Sequence, residues 1–247
     1  MPINLQKLPP VNLSKLSSKD LEFLIDGSGS MGGADCDIEV EVKGGLFSKG
    51  GTKVQKIDRW NFVGPQASYL AGEAVKVDDD GIYAAIFNER LTEIKGANAD
   101  TISARFKAGC PGGGTNTAYA LKSRIDAYFD RLAANPNTKD TVIFIVTDGA
   151  PTHNLAGYQV SQTEAQRAVA SVIVEATKRL KAAGKTRKAL GLFFLQVGHD
   201  PAASSFLKYL DDGLVAAGAA MDIVDTKNAS DAKDTSIGEM IEGALND

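Results

Sequence analysis

A short apolar run closes on a carboxylate and passes into alternating glycine and serine: Leu21-Glu22-Phe23-Leu24-Ile25-Asp26-Gly27-Ser28-Gly29-Ser30-Met31. Leu21–Ile25 reads as a buried strand, and the glycines beyond it let the chain turn sharply. After the strand, Asp26, Ser28 and Ser30 take alternate positions, so three oxygen-bearing side chains can converge from one turn. Four further runs have the same character: Ile82–Phe87, Thr141–Val146, Ala189–Val197 and Met221–Val224. Strands that are apolar throughout, rather than at every second position, belong to a parallel sheet covered on both faces.

Helical spacing fills the intervals. Leu121, Ile125, Tyr128, Phe129 and Leu132 share one face, as do Val169, Val172, Ile173, Ala176 and Leu180. The second of these helices opens on a capping box, Ser161 to Glu164, and stops near Gly184. Ile57–Lys76 is helical in pattern, and Pro65 within it predicts a kink or a later start. A last helix around Ser230–Leu245 carries Ile237, Met240 and Ile241, and reads as a static cover for the final strand. Alternating strands and helices give an α/β class, a doubly wound, mostly parallel sheet with right-handed crossovers. Ligand sites of such sheets lie beyond the carboxyl ends of the strands.

Two segments break the alternation. Residues 1–17 read as an extended N-terminal arm preceding a domain over 18–247. Within the insertion 32–55, Ile38, Val40 and Val42 alternate with Glu39 and Glu41, then follow Gly44-Gly45 and a second run around Thr52–Ile57. That pattern predicts an inserted β-hairpin. Passive decoration and a partner or self-assembly surface both fit these two segments.

Composition narrows the function. The chain has 247 residues, 27 basic and 31 acidic, for a net charge of −4 and a pI near 5.3. Mild acidity argues against a protein that grips nucleic acid or anionic lipid. Residues 1–20 have no apolar run of signal-peptide length, and no apolar stretch approaches the roughly 20 residues that span a bilayer. Two cysteines, Cys36 and Cys110, fit a reducing compartment, so the expected location is cytoplasmic, or a particle assembled from the cytoplasm.

Several enzyme motifs are excluded by their neighbours. Gly27, Gly29 and Gly32 spell G-x-G-x-x-G after a strand, but the segment that follows is glycine-rich and hairpin-like rather than helical. Asp26 would also direct a carboxylate at the phosphates. Ser28 and Ser30 do not sit in G-x-S-x-G, and Gly112-Gly113-Gly114-Thr115 lacks the Gly-Lys of a P-loop.

An oxygen-rich constellation remains. Asp26, Ser28 and Ser30 follow the first strand, Thr115 follows three glycines, and Asp148 ends the Thr141–Val146 strand within Thr147-Asp148-Gly149. Parallel strands bring these loops to one edge. Carboxylates and hydroxyls are hard ligands, suited to Mg²⁺, Mn²⁺ or Ca²⁺. The same residues can also serve as turn-forming hydroxyls and helix-capping aspartates. Five oxygen donors at one edge favour the cation site. Asp35 and Asp37 in the insertion can approach it, or stand as solvated loop acids. Cys36, Cys110, His153 and His199 fall in loops of the same edge without zinc-motif spacing. A Cys36–Cys110 disulfide needs Cα atoms within about 7 Å and is not expected in a reducing compartment.

D-x-S-x-S at 26–30, the distant Thr115 in a glycine-rich loop, and T-D-G at 147–149 together resemble the von Willebrand factor A (vWA) domain and its metal-ion-dependent adhesion site. All five positions of that site have counterparts here: Asp26, Ser28, Ser30, Thr115 and Asp148. The resemblance spans about residues 18–245. It implies a Rossmann-like sheet with Leu91–Ile94 as an antiparallel edge strand beside Ile82–Phe87. It implies binding rather than catalysis, with Mg²⁺ (or Mn²⁺ or Ca²⁺) contacted by serines and threonine, and by aspartates directly or through water. A partner's Asp or Glu would complete the shell. The insertion 32–55 departs from the simplest members, which pass almost directly into their first helix. A metal-dependent protein-binding module is therefore the expectation. The alternative is a structural, self-assembling component, such as part of a phage or tail-like particle, oligomerising through 1–17 or 32–55. Mg²⁺-dependent phosphoryl chemistry lacks a general base and a phosphate-gripping lysine.

Overall fold

The strand Lys19–Asp26 has parallel partners on both sides, and the architecture is built outward from it. The computed structural model describes residues 13–42, 50–78 and 80–229, together with residues 4, 5, 7, 8 and 10. Their elements run β1 (Lys19–Asp26), β2 (Cys36–Val42), β3 (Gly51–Ile57), α1 (Arg59–Ala74), β4 (Tyr83–Phe87), β5 (Leu91–Glu93), α2 (Ala99–Lys107), α3 (Thr117–Ala134), β6 (Asp140–Thr147), α4 (Gln162–Ala182), β7 (Leu190–Gln196), α5 (Pro201–Asp212) and β8 (Val224–Asn228). Six strands form one sheet in the order β5-β4-β1-β6-β7-β8, all parallel except β5, and β2 and β3 form a separate antiparallel pair. This is the doubly wound, mostly parallel α/β architecture with an antiparallel edge strand and an inserted hairpin, consistent with the vWA fold.

Alternate residues of each inner strand enter opposite cores, which is why those strands read as apolar throughout. Phe23, Ile25, Phe144, Val146, Phe193 and Leu195 pack with α1 and α2. Leu24, Ile143, Ile145, Leu192 and Phe194 pack with α3, α4 and α5. Between α1 and α2 the approach is close: a Cβ on Gly64 would lie 3.0 Å from the Phe106 ring, beside the Trp60–Phe106 contact.

From β1 the chain crosses to β4 on one side, and from β6 it crosses to β7 on the other. The two directions part between β1 and β6, and the crevice at their carboxyl ends is where open α/β sheets bind ligands. Asp26 ends β1, and Asp148 immediately follows β6.

Some boundaries differ from the sequence expectation. α1 runs through Pro65 without interruption, and Gln66 Nε2 donates to the Phe62 carbonyl at 3.0 Å within that turn. The final strand is Val224–Asn228 rather than Met221–Val224. Its polar residues lie along the sheet edge, where apolarity is not required. α2 and α5 are additional to the helices expected from spacing; Asn98 and Thr101 form a reciprocal capping box, and Asp200 caps a helix with Pro201 in its first turn. Of the expected arm, Ser14–Leu16 is one 3-10 turn, and Leu13 and Leu16 are buried in the core. The Gly44-Gly45 turn and the helix around Ser230–Leu245 lie outside the described residues. Among the described residues no helix is long and apolar enough to cross a membrane.

Candidate functional site

Three loops meet over the crevice. Asp26 is fully buried at the end of β1, where Oδ1 accepts the Ser28 N–H at 2.8 Å and Oδ2 accepts the Thr147 hydroxyl at 2.7 Å. The Ser28 and Ser30 hydroxyls are 3.0 Å apart. Ser28 is buried and Ser30 exposed, so the cluster opens to solvent at Ser30.

Backbone bonds stitch the Thr115 loop to this turn. The Gly29 N–H donates to the Gly113 carbonyl and the Gly112 N–H to the Gly27 carbonyl, each at 2.9 Å. Gly112 and Gly113 adopt φ of 78° and 89°, which a side chain would strain. The Thr115 N–H donates to Thr152 Oγ1 at 2.8 Å, and the Thr115 carbonyl accepts the Thr152 N–H at 2.9 Å. Thr115 is thus held through its backbone between the serine turn and the loop after Asp148. His153 packs on Gly114 so closely that a Cβ there would lie 2.2 Å from its Cε1.

Asp148 is 4% exposed and accepts from Arg59 Nη1 at 2.8 Å through Oδ2. The same Nη1 lies 3.3 Å from the Ser30 carbonyl, so one guanidinium links two of the loops. Burial, and then the charge of Asp148, push the Asp26 carboxyl up to about 6. Asp148 has the Arg59 guanidinium as its counter-charge, whereas the bonds to Asp26 come from uncharged donors, the Ser28 N–H and the Thr147 hydroxyl.

The five residues singled out from sequence therefore share one edge, held by direct bonds among Asp26, Ser28 and Ser30 and by backbone ties for Thr115. Most of the other candidates stand around this edge, each with partners of its own, as Asp35 with Arg59, Cys110 with the Ser28 carbonyl and His153 against Gly114. Asp37 is exposed and pairs with Lys56, whereas Asp35 turns inward to Arg59. Cys36 begins β2 in the core and Cys110 lies against the Gly27 and Ser28 carbonyls, and both are free. Burial pushes the Cys36 thiol up to about 12 and raises the Cys110 thiol, which suits neither to nucleophilic work. The one residue of consequence that sequence reasoning missed is Arg59, whose meaning depends on a contact 89 positions away.

A different acidic group lies at the opposite end of β1. Asp20, Asp78 and Asp80 place carboxylate oxygens within 4.8 Å of one another, but Lys139 pairs with Asp78 and Asp80, and Arg131 with Asp20. These bonds account for the cluster as an ion-pair network.

The donor set at the crevice fits a hard divalent cation. Two carboxylates, two adjacent hydroxyls and a third hydroxyl on a fixed loop are the ligand types that Mg²⁺ and Mn²⁺ prefer. The raised Asp26 carboxyl marks anionic charge that a cation would relieve.

No protein-family model matches the chain, and no curated protein matches it significantly. Solved structures are similar in outline only. An aerotolerance-related membrane protein from Bacteroides fragilis is 13% identical, with a TM-score of 0.46, over 92% of this chain and 98% of that one. A manganese-loaded TRAP protein from Plasmodium vivax is 14% identical, with a TM-score of 0.44, over 87% of this chain and 71% of that one. The pilus adhesin SpaC from Lactobacillus rhamnosus GG is 13% identical, with a TM-score of 0.44, over 92% of this chain and 30% of that one.

Proposed function

We propose that this chain is a non-enzymatic protein-binding module whose crevice site holds a divalent cation, Mg²⁺ in the first instance, and takes an Asp or Glu side chain of a protein partner. The observation that supports this reading is that the loops bearing Asp26, Ser28, Ser30, Thr115 and Asp148 meet at the switch point of the sheet. Ser28, Ser30 and Thr115 would supply hydroxyl ligands, with Asp26 and Asp148 directly or through water. A bound cation would supply an electropositive centre with exchangeable waters, to which an incoming carboxylate is attracted.

The chain's own residues prepare that encounter. Thr147 and the Ser28 N–H fix Asp26, the glycine loop fixes Thr115, and exposed Ser30 leaves the centre open to a partner. Tyr119 in the first turn of α3, and Leu155 and Tyr158 in the segment after Asp148, are exposed, at 44%, 38% and 70%. They offer apolar contact beside a charged anchor, the pattern of a protein-binding surface. The two cysteines, both free, are the support for proposing a reducing, cytoplasmic setting.

The thermal midpoint of metal-stripped protein tests this directly, with Mg²⁺, Mn²⁺ or Ca²⁺ added and Asp26→Ala as control. At about 100 times Kd, binding adds roughly 2.7 kcal/mol, a shift of about 5–10 °C for a chain of this size. A saturable shift in the wild type that Asp26→Ala lacks supports the reading. No shift at millimolar metal contradicts it.

A further inference from the structure

Arg59 is spent on two carboxylates from different parts of the chain. Its Nε and Nη2 donate to the two oxygens of Asp35 at 2.9 and 2.7 Å, and Nη1 donates to Asp148 at 2.8 Å. The slot for this side chain is built by two glycines. A Cβ on Gly198 would lie 2.3 Å from Arg59 Nε, and one on Gly33 would lie 3.3 Å from its Cζ. Arg59 is 15% exposed and Asp148 4%, so their bond is no solvated surface pair, while Asp35, at 30%, is more open to water.

The place of these residues in the chain adds a second observation. Asp35 immediately precedes β2 and Arg59 begins α1 just after β3, so their pairing closes the neck of the hairpin. The Arg59 N–H donates to the Gly33 carbonyl at 3.0 Å and closes the same neck through backbone. A neck that elsewhere would be a passive linker is thus tied to a carboxylate of the crevice.

We propose that Arg59 is a tethered cation that competes with a divalent ion for Asp148, and that Asp35 sets how strongly it competes. The inference rests on the cation site proposed above and goes beyond it, because it makes the inserted hairpin part of that site. The guanidinium and a divalent ion repel each other and draw on the same carboxylate. Asp35 neutralises Arg59 and holds two of its three donor nitrogens, which limits its pull on Asp148. On this proposal the neck and the ion site are linked through Arg59, so whatever ion binding does to the neck, a change at the neck does equally to ion affinity. Arg59 and Asp35 are positioning residues here and are not ligands.

Mn²⁺ dissociation constants, read by electron paramagnetic resonance on the 247-residue chain, test the proposal through the sign of two effects. Arg59→Gln is expected to tighten Mn²⁺ binding by about tenfold, and Asp35→Asn, which leaves Arg59 uncompensated, to weaken it by a similar factor. A purely structural role would weaken binding in both, so weakened or unchanged binding in Arg59→Gln overturns the proposal. Should Arg59→Gln fail to fold, Asp35→Asn and hydrogen exchange of the wild type decide. Saturating Mn²⁺ is expected to speed amide exchange in residues 36–42 and 51–57, and unaltered exchange there, or unchanged or tighter Mn²⁺ binding in Asp35→Asn, overturns the coupling. A wild type that binds no Mn²⁺ removes the cation site itself, and this inference with it. Binding without the sign difference overturns this inference alone.

Discussion

The hydroxyl of Thr147 donates to Asp26 Oδ2 at 2.7 Å, so the last residue of β6 holds the carboxylate that ends β1. Thr147 Oγ1 also accepts the Gly149 N–H at 3.0 Å, which sets the turn carrying Asp148. Replacing the hydroxyl by a methyl leaves a fully buried carboxylate oxygen and a backbone N–H short of a partner. Thr147→Val is expected to cost about 1–3 kcal/mol, because orphaned buried polar groups carry their full desolvation penalty. Thermal unfolding checks this, at about 2–4 °C per kcal/mol. A midpoint within 1 °C of wild type, on the order of the smallest shift that figure resolves, would show that the bond carries nothing.

Asp26 makes stability depend on pH with a definite sign. Its carboxyl is pushed up from 3.8 to about 6, chiefly by burial and next by Asp148. Between those values the folded chain keeps a proton that the unfolded chain has lost, so metal-free stability falls as pH rises through the window. The contribution is about 3 kcal/mol at full extent, read as the difference between wild type and Asp26→Asn in denaturant titrations from pH 4 to 7. A divalent ion competes with that proton, so metal affinity is expected to fall as pH drops below about 6. Equal pH slopes in the two proteins would refute the assignment.

Gly114 and His153 are expected to behave as a coupled pair. A Cβ at position 114 would lie 2.2 Å from His153 Cε1 and 3.0 Å from Thr152 Oγ1, so Gly114→Ala must push the imidazole aside. We expect a loss of about 1–3 kcal/mol, the usual cost of overpacking. Adding His153→Ala opens the space, and the double variant should recover part of the loss, with a coupling energy of at least about 0.5 kcal/mol in a thermodynamic cycle. Simple additivity would mean that the loop relaxes without involving the ring.

Glu22 lies in the middle of the buried face of β1, 2% exposed, and accepts from Arg124 at 2.7 and 3.0 Å and from Arg131 at 3.1 Å. Arg124 also stacks over the Tyr83 ring at 3.5 Å. Glu22→Ala strands the Arg124 guanidinium inside the fold, while Arg131 keeps Asp20 and the Thr141 hydroxyl, and is expected to destabilise by about 3–5 kcal/mol. Chemical denaturation measures it, and a loss under about 1 kcal/mol, the scale of an exposed pair, would show the network to be solvated.

Glu22 also shows where the sequence stops being legible. Leu21–Ile25 identifies the strand because its other residues are apolar, and a lone acid within it carries no sign of partners more than a hundred residues away. The strands, their parallel order and the hairpin follow from periodicity, a local property. Four of the five crevice residues are readable because each ends or follows a parallel strand, whereas Thr115, between α2 and α3, is marked by the glycines before it. Arg59 is not readable in this way. A cation in the first turn of a helix opposes the helix dipole, and its contacts with Asp35 and Asp148 explain its presence there. β8 is shifted because an edge strand can be polar, as Asp225, Thr226, Lys227 and Asn228 are. α2 is hidden because it is a short helix of nine residues whose apolar face is only Ile102 and Phe106.

The central claim is that the crevice between β1 and β6 holds a divalent cation, and anomalous scattering from crystals grown with millimolar Mn²⁺ tests it most directly. The account predicts one strong anomalous peak enclosed by Asp26, Ser28, Ser30, Thr115 and Asp148, and its loss in Asp26→Ala. A peak at Asp20, Asp78 and Asp80 instead, or no peak in the crevice, would contradict it.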